Sequence, residues 1–478
     1  MDPDHLHKHL SQIDGSVSSA ELLARQRSLL EFSWKHVPAY AKVSATEVLD
    51  KESFVNRFAL SQRCRDGDIS SLDFIHGSSG SSGVPTHWGR TREDEALVSL
   101  RFQQVFESFE SRDLSTLVLV VLPMGVWVGG IFSSFCVRSL PQFGFRLTMM
   151  TPGNNMADIL KILSGPLPRQ FKQVCLIGYP PFCKGIVDGA LANNIDLAPM
   201  RLKFILAGEV FSEEWRSLMM DRCSLSEPTS IVSIYGTADA GVLGCETPLT
   251  IYIRREIAKA PREVCDNIFG RDRLPTLVQY DPRHRFFERT EKGEMVFTTM
   301  PHSESESSKL GFPAAPLIRY NIGDAGGLYS YGELIEKLEG LGINVPSSLS
   351  HYTMPFAFVF GRAFWTKSLY GANVYVENVM SGIEDPIVAP LVTGKFVLSV
   401  AETEDVRLKV VVELAVGTAP SAEVENVIRE RVLAALLRLN GEYAAYVPAE
   451  KQLPLIDLCE YGDGTYFPLG TKHRYIQD

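Results

Sequence analysis

A short segment rich in glycine and serine carries the clearest chemical pattern in the sequence. Residues 76–86 read His-Gly-Ser-Ser-Gly-Ser-Ser-Gly-Val-Pro-Thr. Successive glycine and serine residues give a backbone whose N–H groups can surround an anion, and the serine hydroxyls add further donors. The segment lacks the Gly-Lys-Ser/Thr ending of a Walker loop, and its composition is also typical of flexible linkers. These residues alone therefore leave open an anion-binding loop and a linker.

Further motifs follow this loop along the chain. The loop resembles the Ser/Thr-Ser-Gly-Thr-Thr-Gly-x-Pro-Lys/Thr signature of the adenylate-forming acyl-CoA synthetase superfamily, and its Pro-Thr ending resembles the phenylacetate–CoA ligase-like branch. Residues 125–130, Gly-Val-Trp-Val-Gly-Gly, are similar to a Gly-Leu-Phe-Thr-Gly-Gly stretch of those ligases. Each motif is weak alone, and together they extend the resemblance over residues 78–375. The other segments that match superfamily motifs, in the same order, are 207–210, 235–239, 292–296, 318–324, 360–362 and 370–375.

The resemblance implies an α/β fold in two parts. Residues 1–360 would form a large multi-sheet N-terminal domain that binds ATP and the acyl group. Residues 361–478 would form a small, mobile α+β C-terminal lid domain that carries the catalytic lysine. Closure of a lid over a body completes many active sites, so we expect catalysis in the cleft between the two domains.

The resemblance also implies a reaction. In this superfamily, ATP and a carboxylic acid form an acyl adenylate with release of pyrophosphate, and the acyl group then passes to a thiol. Our first hypothesis is an AMP-forming acid–thiol ligase, phenylacetate–CoA ligase-like, that transfers an aromatic (aryl or arylacetic) acid to CoA. The alternative is an adenylating ligase that passes the acyl group to an amine, a hydroxyl or a carrier-protein thiol in a biosynthetic pathway. A non-enzymatic relative that binds a nucleotide or an acid is the third class.

Two residues are the catalytic candidates by resemblance. Lys472, within Gly470-Thr471-Lys472, stands at the position of the superfamily's catalytic lysine, where an ammonium would offset the charge that develops during adenylation. Asp239 stands where the superfamily usually has a Mg²⁺-binding Glu, and its carboxylate is a hard oxygen ligand. A solvated terminal lysine and a helix N-terminal acid are the other interpretations. ATP, Mg²⁺ and CoA are the implied cofactors.

Nucleotide binding is implied for the motif residues. The aromatic ring of Tyr235 would stack on adenine, and Asp324 would accept hydrogen bonds from the ribose hydroxyls. A core aromatic for Tyr235 and a helix N-terminal acid for Glu209 are the structural alternatives. The full ATP/AMP set is Ser78, Ser79, Gly80, Ser81, Ser82, Gly83, Thr86, Gly208, Glu209, Val210, Tyr235, Gly236, Thr237, Asp324 and Arg362.

The acyl pocket and the CoA site are also placed by resemblance. Methionine and aromatic side chains beside small alanines suit a flat ring, although each of these residues would serve equally well in ordinary core packing. Gly371 is the candidate at the CoA site. The acyl-pocket candidates are Met124, Trp127, Phe132, Ala207 and Ala238.

The hinge departs from the superfamily pattern. Its usual Gly-Arg-x-Asp-Asp is replaced by Gly361-Arg362 followed by Ala-Phe-Trp-Thr-Lys over residues 363–367. Bulky aromatic residues at a hinge predict resistance to rotation. Tyr370 also replaces an Arg that precedes Gly371 in the superfamily. Both departures count against transfer to CoA and favour the alternative acyl acceptors.

Periodicity indicates the elements that must position these residues. Helices are predicted over 20–34 and 93–109, and strands that end at glycine turns over 173–179 and 202–208, which is the alternation of an α/β fold. Beyond residue 360, strands at 396–400 and 408–412 and an amphipathic helix at 422–439 describe a small α+β unit. Two segments, 256–285 and 331–355, look like additions to a minimal ligase; the second contains a predicted helix at 332–341.

Composition narrows the class of protein. With 478 residues, 45% hydrophobic and 22% charged, the chain is long enough for large cores. The net charge of −10 disfavours nucleic acid as a partner. Scattered cysteines without a Cys-x-x-Cys pair and the absence of an apolar leader predict a cytoplasmic protein, a monomer or homodimer. Residues 117–136 carry no charge and are long enough to cross a bilayer, but their aliphatic start and internal glycines favour a buried strand, a turn and a helix.

Overall fold

The structure is a computed structural model of the 478-residue chain. It describes residues 19–78, 86–126, 128–271, 274–290, 294–301, 311–349, 353–362, 366–370, 372–401, 407–468, 473 and 475–476. The loop candidates Ser79, Gly80, Ser81, Ser82 and Gly83, together with Trp127, Gly371 and Lys472, lie outside these residues.

A nine-stranded sheet forms the centre of the large N-terminal part. Its strand order is β13-β14-β9-β8-β7-β6-β5-β3-β4, with β3 to β7 parallel and the strands from β8 to β14 antiparallel. These strands are β3 (Thr116–Val120), β4 (Leu147–Met150), β5 (Gln173–Gly178), β6 (Lys203–Ala207), β7 (Ile231–Thr237), β8 (Gly241–Cys245), β9 (Thr276–Gln279), β13 (Asp324–Tyr329) and β14 (Phe356–Arg362).

Helices flank this sheet. β3 and β5 are buried along their whole length, as parallel strands covered on both faces must be. The helices are α1 (Ser19–His36), α2 (Leu60–Arg63), α3 (Arg92–Ser108), α4 (Val128–Ser139), α5 (Met156–Ser164), α6 (Pro180–Ala192), α7 (Glu213–Arg222), α8 (Pro248–Lys259), α9 (Arg262–Phe269) and α10 (Tyr331–Gly340).

Smaller sheets flank the large one. β1 (Phe74–Ser78) and β2 (Thr86–Arg90) form an antiparallel hairpin, in which Ser78 pairs with Thr86. β10 (Arg285–Arg289), β11 (Met295–Thr299) and β12 (Tyr320–Asn321) form an antiparallel sheet. The hairpin therefore brings the two ends of the predicted anion-binding loop together.

The C-terminal part has its own core. β15 (Thr366–Leu369) and β16 (Ala372–Tyr375) form a hairpin, and β18 pairs antiparallel with β17 and parallel with β19. Apolar residues between positions 369 and 476 form one buried cluster here. The remaining elements are α11 (Val376–Ile383), β17 (Val392–Ala401), β18 (Arg407–Leu414), α12 (Ala422–Leu439), α13 (Gly441–Tyr446) and β19 (Leu455–Cys459).

The predicted α/β class is confirmed: a large multi-sheet body and a small α+β lid. The helix predicted over 422–439 has those bounds, and its Ser421 side chain accepts the N–H of Val424 as an N-cap. The uncharged run 117–136 folds as β3, a turn and α4. In the described part of the chain, no helix combines the length and the apolar character that a bilayer crossing requires.

Candidate active site

Gly208 and Glu209 follow directly after β6, at the carboxyl edge of the parallel strands. Gly208 has a φ of +83°, and a Cβ at this position would lie 2.6 Å from Cε1 of Tyr179. Glycine is therefore required here for both conformation and space. The turn directs Glu209 into the protein, where its Oε2 accepts a 2.7 Å hydrogen bond from the hydroxyl of Tyr475. The carboxyl edge of parallel strands is the usual ligand side of an α/β sheet.

Tyr235 and Asp324 meet at the same edge. The Tyr235 hydroxyl donates to Oδ2 of Asp324 at 2.8 Å. Asp324 begins β13 and is the register partner of Arg362, the last residue of β14. The fold thus brings together Tyr235, Asp324 and Arg362, three predicted nucleotide residues that are far apart in the sequence. For Arg362, the structure describes the position of the backbone.

Asp239 lies in the tight turn between β7 and β8. Its Oδ2 accepts a 2.9 Å hydrogen bond from the hydroxyl of Tyr320. Thr237, before the turn, accepts the N–H of Ala240 at 3.1 Å through its hydroxyl oxygen. Desolvation and the adjacent carboxylate raise the pKa of the Tyr320 phenol far above its usual range, so the phenol remains a donor to Asp239.

Two buried arginines hold this turn. Arg90 Nη2 donates to the carbonyl oxygens of Ala238 at 2.6 Å and Asp239 at 3.3 Å, and Arg285 Nη2 donates to that of Ala240 at 2.8 Å. Burial, with repulsion from Arg90, lowers the pKa of Arg285 to about 10, so Arg285 stays charged at neutral pH. Sequence analysis missed these arginines, because they lie outside the motifs and reach the turn only through the fold.

A pocket opens beside Asp239. Its charged lining residues are Arg63, Arg90, Arg285, Asp94 and Asp239. Three guanidinium groups against two carboxylates leave the lining with a net positive charge. Guanidinium groups attract phosphate oxygens, so the positive charge of this lining favours phosphate groups bound nearby.

Asp239 is compatible with a Mg²⁺ site of the kind that combines a protein carboxylate with substrate phosphates. Among the described residues, no group of three or more His, Cys, Asp and Glu side chains converges as a metal site. Mg²⁺ is commonly held by one or two carboxylates together with substrate phosphates. Asp239, a carboxylate on a pocket suited to phosphates, fits a Mg²⁺ ion that is held between the protein and the substrate.

The acyl-pocket candidates divide between two neighbouring clusters. Met124, Phe132 and Ala207 belong to one apolar cluster, and Ala238 packs against another. Arg90 links them, because its Cζ lies 5.6 Å from the centroid of the Phe132 ring while Nη2 binds the Ala238 carbonyl. The structure therefore brings Phe132 and Ala238 close to the Asp239 turn through Arg90.

A buried pair supports the β1–β2 hairpin. His76 Nε2 lies 3.0 Å from Oε1 of Glu95, and both side chains are almost fully buried. Gly77 donates its N–H to the carbonyl of Val126 at 2.8 Å. The hairpin that presents Ser78 and Thr86 is thus fixed both to α3 and to the segment between β3 and α4.

The small C-terminal part contacts the body on the side of Glu209. Lys184 of α6 donates to the carbonyl oxygens of Ala389 at 2.8 Å and Val392 at 3.0 Å, and to Asp188 at 2.7 Å. The Ser212 hydroxyl donates to Glu384, whose pKa burial raises to about 8. These contacts place the C-terminal part over the carboxyl edge of β6.

Known structures share this fold. The chain superposes on 2-hydroxyisobutyryl-CoA ligase in its postadenylation state with a TM-score of 0.67 and 14% identity, covering 97% of this chain and 90% of that chain. Against the thioesterification state of the same ligase with CoA, the TM-score is 0.54 at 14% identity, covering 97% and 91%. No protein-family model matches the chain, and no curated sequence matches it either. The chain therefore has the fold of AMP-forming acyl-CoA ligases.

Proposed function

We propose that the chain is an adenylate-forming ligase, which activates a carboxylic acid as acyl-AMP with release of pyrophosphate and transfers the acyl group to CoA. The observation that carries the proposal is the 2.8 Å contact between Tyr235 and Asp324. By resemblance, Tyr235 stacks on adenine and Asp324 binds the ribose. Their contact at the carboxyl edge of the sheet supports a single nucleoside site. The fold shared with AMP-forming ligases over 97% of the chain agrees with this assignment.

The first step joins the acid to the nucleotide. A carboxylate oxygen of the acid attacks the α-phosphorus of ATP, the bond to the bridging oxygen breaks, and pyrophosphate leaves with the electron pair. Asp324 holds the ribose through its carboxylate, and Lys472 neutralises charge at the α-phosphate. The pocket of Arg63, Arg90 and Arg285 stabilises the departing pyrophosphate. Mg²⁺, when bound by Asp239, supplies additional positive charge at the phosphate oxygens.

The second step releases AMP. The thiolate of CoA attacks the carbonyl carbon of the acyl adenylate, and AMP leaves with the bonding electrons. The better superposition on the postadenylation state, 0.67 against 0.54, supports the present arrangement of the two parts as the one used for adenylation. Transfer to CoA then requires the C-terminal part to move relative to the body.

The substrate is proposed to be an aromatic acid. Phe132 is 4% exposed and packs with Met124 and Ala207 in one apolar cluster near the Asp239 turn. An apolar wall that ends at polar backbone groups suits a flat ring whose carboxylate points toward the phosphates.

One observation favours the alternative acyl acceptor. The guanidinium carbon of Arg271 lies 4.9 Å from the centroid of the Phe360 ring and 5.9 Å from that of Tyr375, on either side of the predicted hinge. Such a clamp resists rotation of the small part. An adenylating ligase that passes its acyl group to an amine, a hydroxyl or a carrier-protein thiol is therefore the second candidate.

Pyrophosphate exchange tests the proposal. The purified chain is supplied with ATP, Mg²⁺ and a panel of aryl, arylacetic and small aliphatic acids, with and without CoA. Exchange with an aromatic acid, followed by thioester formation, is the expected result. Exchange without thioester favours the second candidate. Absence of exchange with every acid would refute adenylation.

A further inference from the structure

The C-terminal segment is fixed to the small domain by its backbone. The N–H of Leu398 in β17 donates to the carbonyl of Tyr475 at 2.7 Å, and Leu398 also forms a parallel bridge with Ile476. His473 Nε2 lies 2.7 Å from the carbonyl oxygen of Phe396, so this nitrogen carries the hydrogen. The segment therefore moves with the β17–β18 sheet.

The side chain of Tyr475 attaches the same segment to the body. Its hydroxyl donates to Oε2 of Glu209 at 2.7 Å, and both residues are buried. Desolvation, together with the negative charge of Glu209, raises the pKa of the Tyr475 phenol well above its usual value. Glu384 and Glu377 are further acids near the phenol, and their charges raise its pKa in the same direction. The phenol therefore stays protonated at neutral pH and donates to Glu209.

The ring of Tyr475 is held as firmly as its hydroxyl. It packs against Phe396 at a centroid distance of 5.0 Å and against His473 at 4.3 Å in an edge-on arrangement. A phenylalanine would preserve these contacts. The hydroxyl adds a hydrogen bond that crosses from the small domain to the strand-end turn of Gly208 and Glu209.

We propose that Tyr475 is a positioning residue for adenylation, and that its bond to Glu209 sets the place of Lys472 relative to the nucleotide. This inference rests on the proposed function. Lys472 precedes Tyr475 by three residues in the sequence. Glu209 belongs to the turn assigned to adenine, and the anchor therefore joins the end of the chain that carries the lysine to the site where the nucleotide binds.

The bond between Tyr475 and Glu209 belongs to one stage of the proposed reaction cycle. It forms in the arrangement proposed for adenylation and must break when the small domain moves away from β6 for acyl transfer. Loss of the hydroxyl should therefore slow the first half-reaction and leave the second unchanged. A residue that acts only on stability would affect both half-reactions in the same proportion.

The test separates the half-reactions in Tyr475→Phe. Pyrophosphate exchange measures adenylation, and single-turnover thioester formation from supplied acyl-AMP and CoA measures transfer. We expect kcat for exchange to fall about tenfold or more, as for a buried hydrogen bond to a charged group, with little change in the KM for ATP. Transfer should stay within about twofold. Equal losses in both steps, or no loss in exchange, would overturn the proposal.

A matched control and a double variant complete the design. Tyr443→Phe removes another buried small-domain hydroxyl, which donates at 2.6 Å to the carbonyl of Gln452 within the same domain. Exchange by this variant should stay at the wild-type rate. In a Glu209→Ala background, Tyr475→Phe should have no further effect on exchange. An additive loss in the double variant would refute coupling through the Glu209 contact.

A readout that does not depend on catalysis distinguishes this inference from the proposed function. Trypsin cleaves after Lys472 and Arg474, and the released peptides are quantified by mass spectrometry. Trypsin should cleave Tyr475→Phe at both bonds faster than it cleaves wild type or Tyr443→Phe. If wild type shows no exchange with any acid, adenylation fails, while faster cleavage still supports the anchor. Unchanged cleavage refutes the anchor whatever the activity.

Discussion

At the scale of single residues, the turn that carries Asp239 depends on arginines from two distant segments. Arg90 and Arg285 together bind the carbonyl oxygens of three consecutive residues, 238–240. A carbonyl oxygen does not titrate near neutral pH, so protonation of the acceptors does not weaken these bonds. The arginines thereby serve both the shape of the turn and the charge of the pocket.

Arg90→Lys tests this double role. A lysine keeps the positive charge but loses the planar group that reaches two carbonyl oxygens. We expect the free energy of unfolding to fall by about 1–3 kcal/mol in urea denaturation. Pyrophosphate exchange should also fall by about tenfold, because Asp239 is displaced. Arg92→Lys, at an exposed arginine two residues away, is the control and should leave both quantities unchanged.

Tyr235→Phe tests the nucleoside site. The change removes the hydroxyl that orients the Asp324 carboxylate and keeps the ring for stacking. A hydrogen bond to a carboxylate is worth about 1.5–3 kcal/mol, so the KM for ATP should rise about tenfold. Tyr329→Phe is the control, because Tyr329 lies in the same strand as Asp324 and donates to the carbonyl of Ile268. An unchanged KM in Tyr235→Phe would contradict the ribose assignment of Asp324.

At the scale of elements, the contact between the body and the small domain contains a buried acid. The Ser212 hydroxyl, at the N-cap of α7, donates to Glu384, which follows α11. Burial is the main cause that raises the pKa of Glu384 to about 8, with a further contribution from Glu214, whereas Lys184 opposes the rise. The carboxyl group is therefore protonated at neutral pH.

This acid predicts a pH dependence with a definite sign. The folded protein binds the proton of Glu384 more tightly than the unfolded chain, so its contribution to stability is complete below the unfolded pKa near 4.5. The contribution declines as pH rises to about 8 and is absent above it. Relative to Glu384→Gln, the wild-type free energy of unfolding should fall by up to about 5 kcal/mol over this range. A pH-independent difference between the two proteins would contradict the raised pKa.

Sequence analysis recovered the elements better than the contacts between them. The helix at 422–439 has a regular apolar spacing and a serine cap, both local signals, and its predicted bounds are those of the structure. Motif resemblance assigned Tyr235 and Asp324 to the same nucleotide, and the fold brings the two residues into contact. Arg63, Arg90 and Arg285 were not predicted, because only tertiary structure brings these arginines to one pocket. The bond between Tyr475 and Glu209, 266 positions apart, lacks a local signal for the same reason.

At the scale of the whole molecule, the negative net charge of the chain opposes the binding of ATP. A protein with a net charge of −10 repels ATP at long range, so the positive pocket beside Asp239 must act locally. The interface between the body and the small domain also contains the acids Glu209 and Glu384. Closure therefore relies on the protonated Glu384 and on hydrogen bonds, among them those from Lys184, whose pKa burial lowers to about 7.

Arg271→Ala tests whether the hinge limits acyl transfer. The guanidinium contacts Phe360 before the hinge and Tyr375 after it, and each cation–π contact is worth about 0.5–1 kcal/mol. If rotation of the small domain limits transfer, loss of both contacts should speed thioester formation from supplied acyl-AMP about fivefold and leave pyrophosphate exchange unchanged. Lys337→Ala, which removes a cation from the ring of Tyr329 within the body, should change neither rate. Slower transfer in Arg271→Ala would instead show that the clamp stabilises the transfer arrangement, because the arginine would then have to hold the two parts after they have rotated.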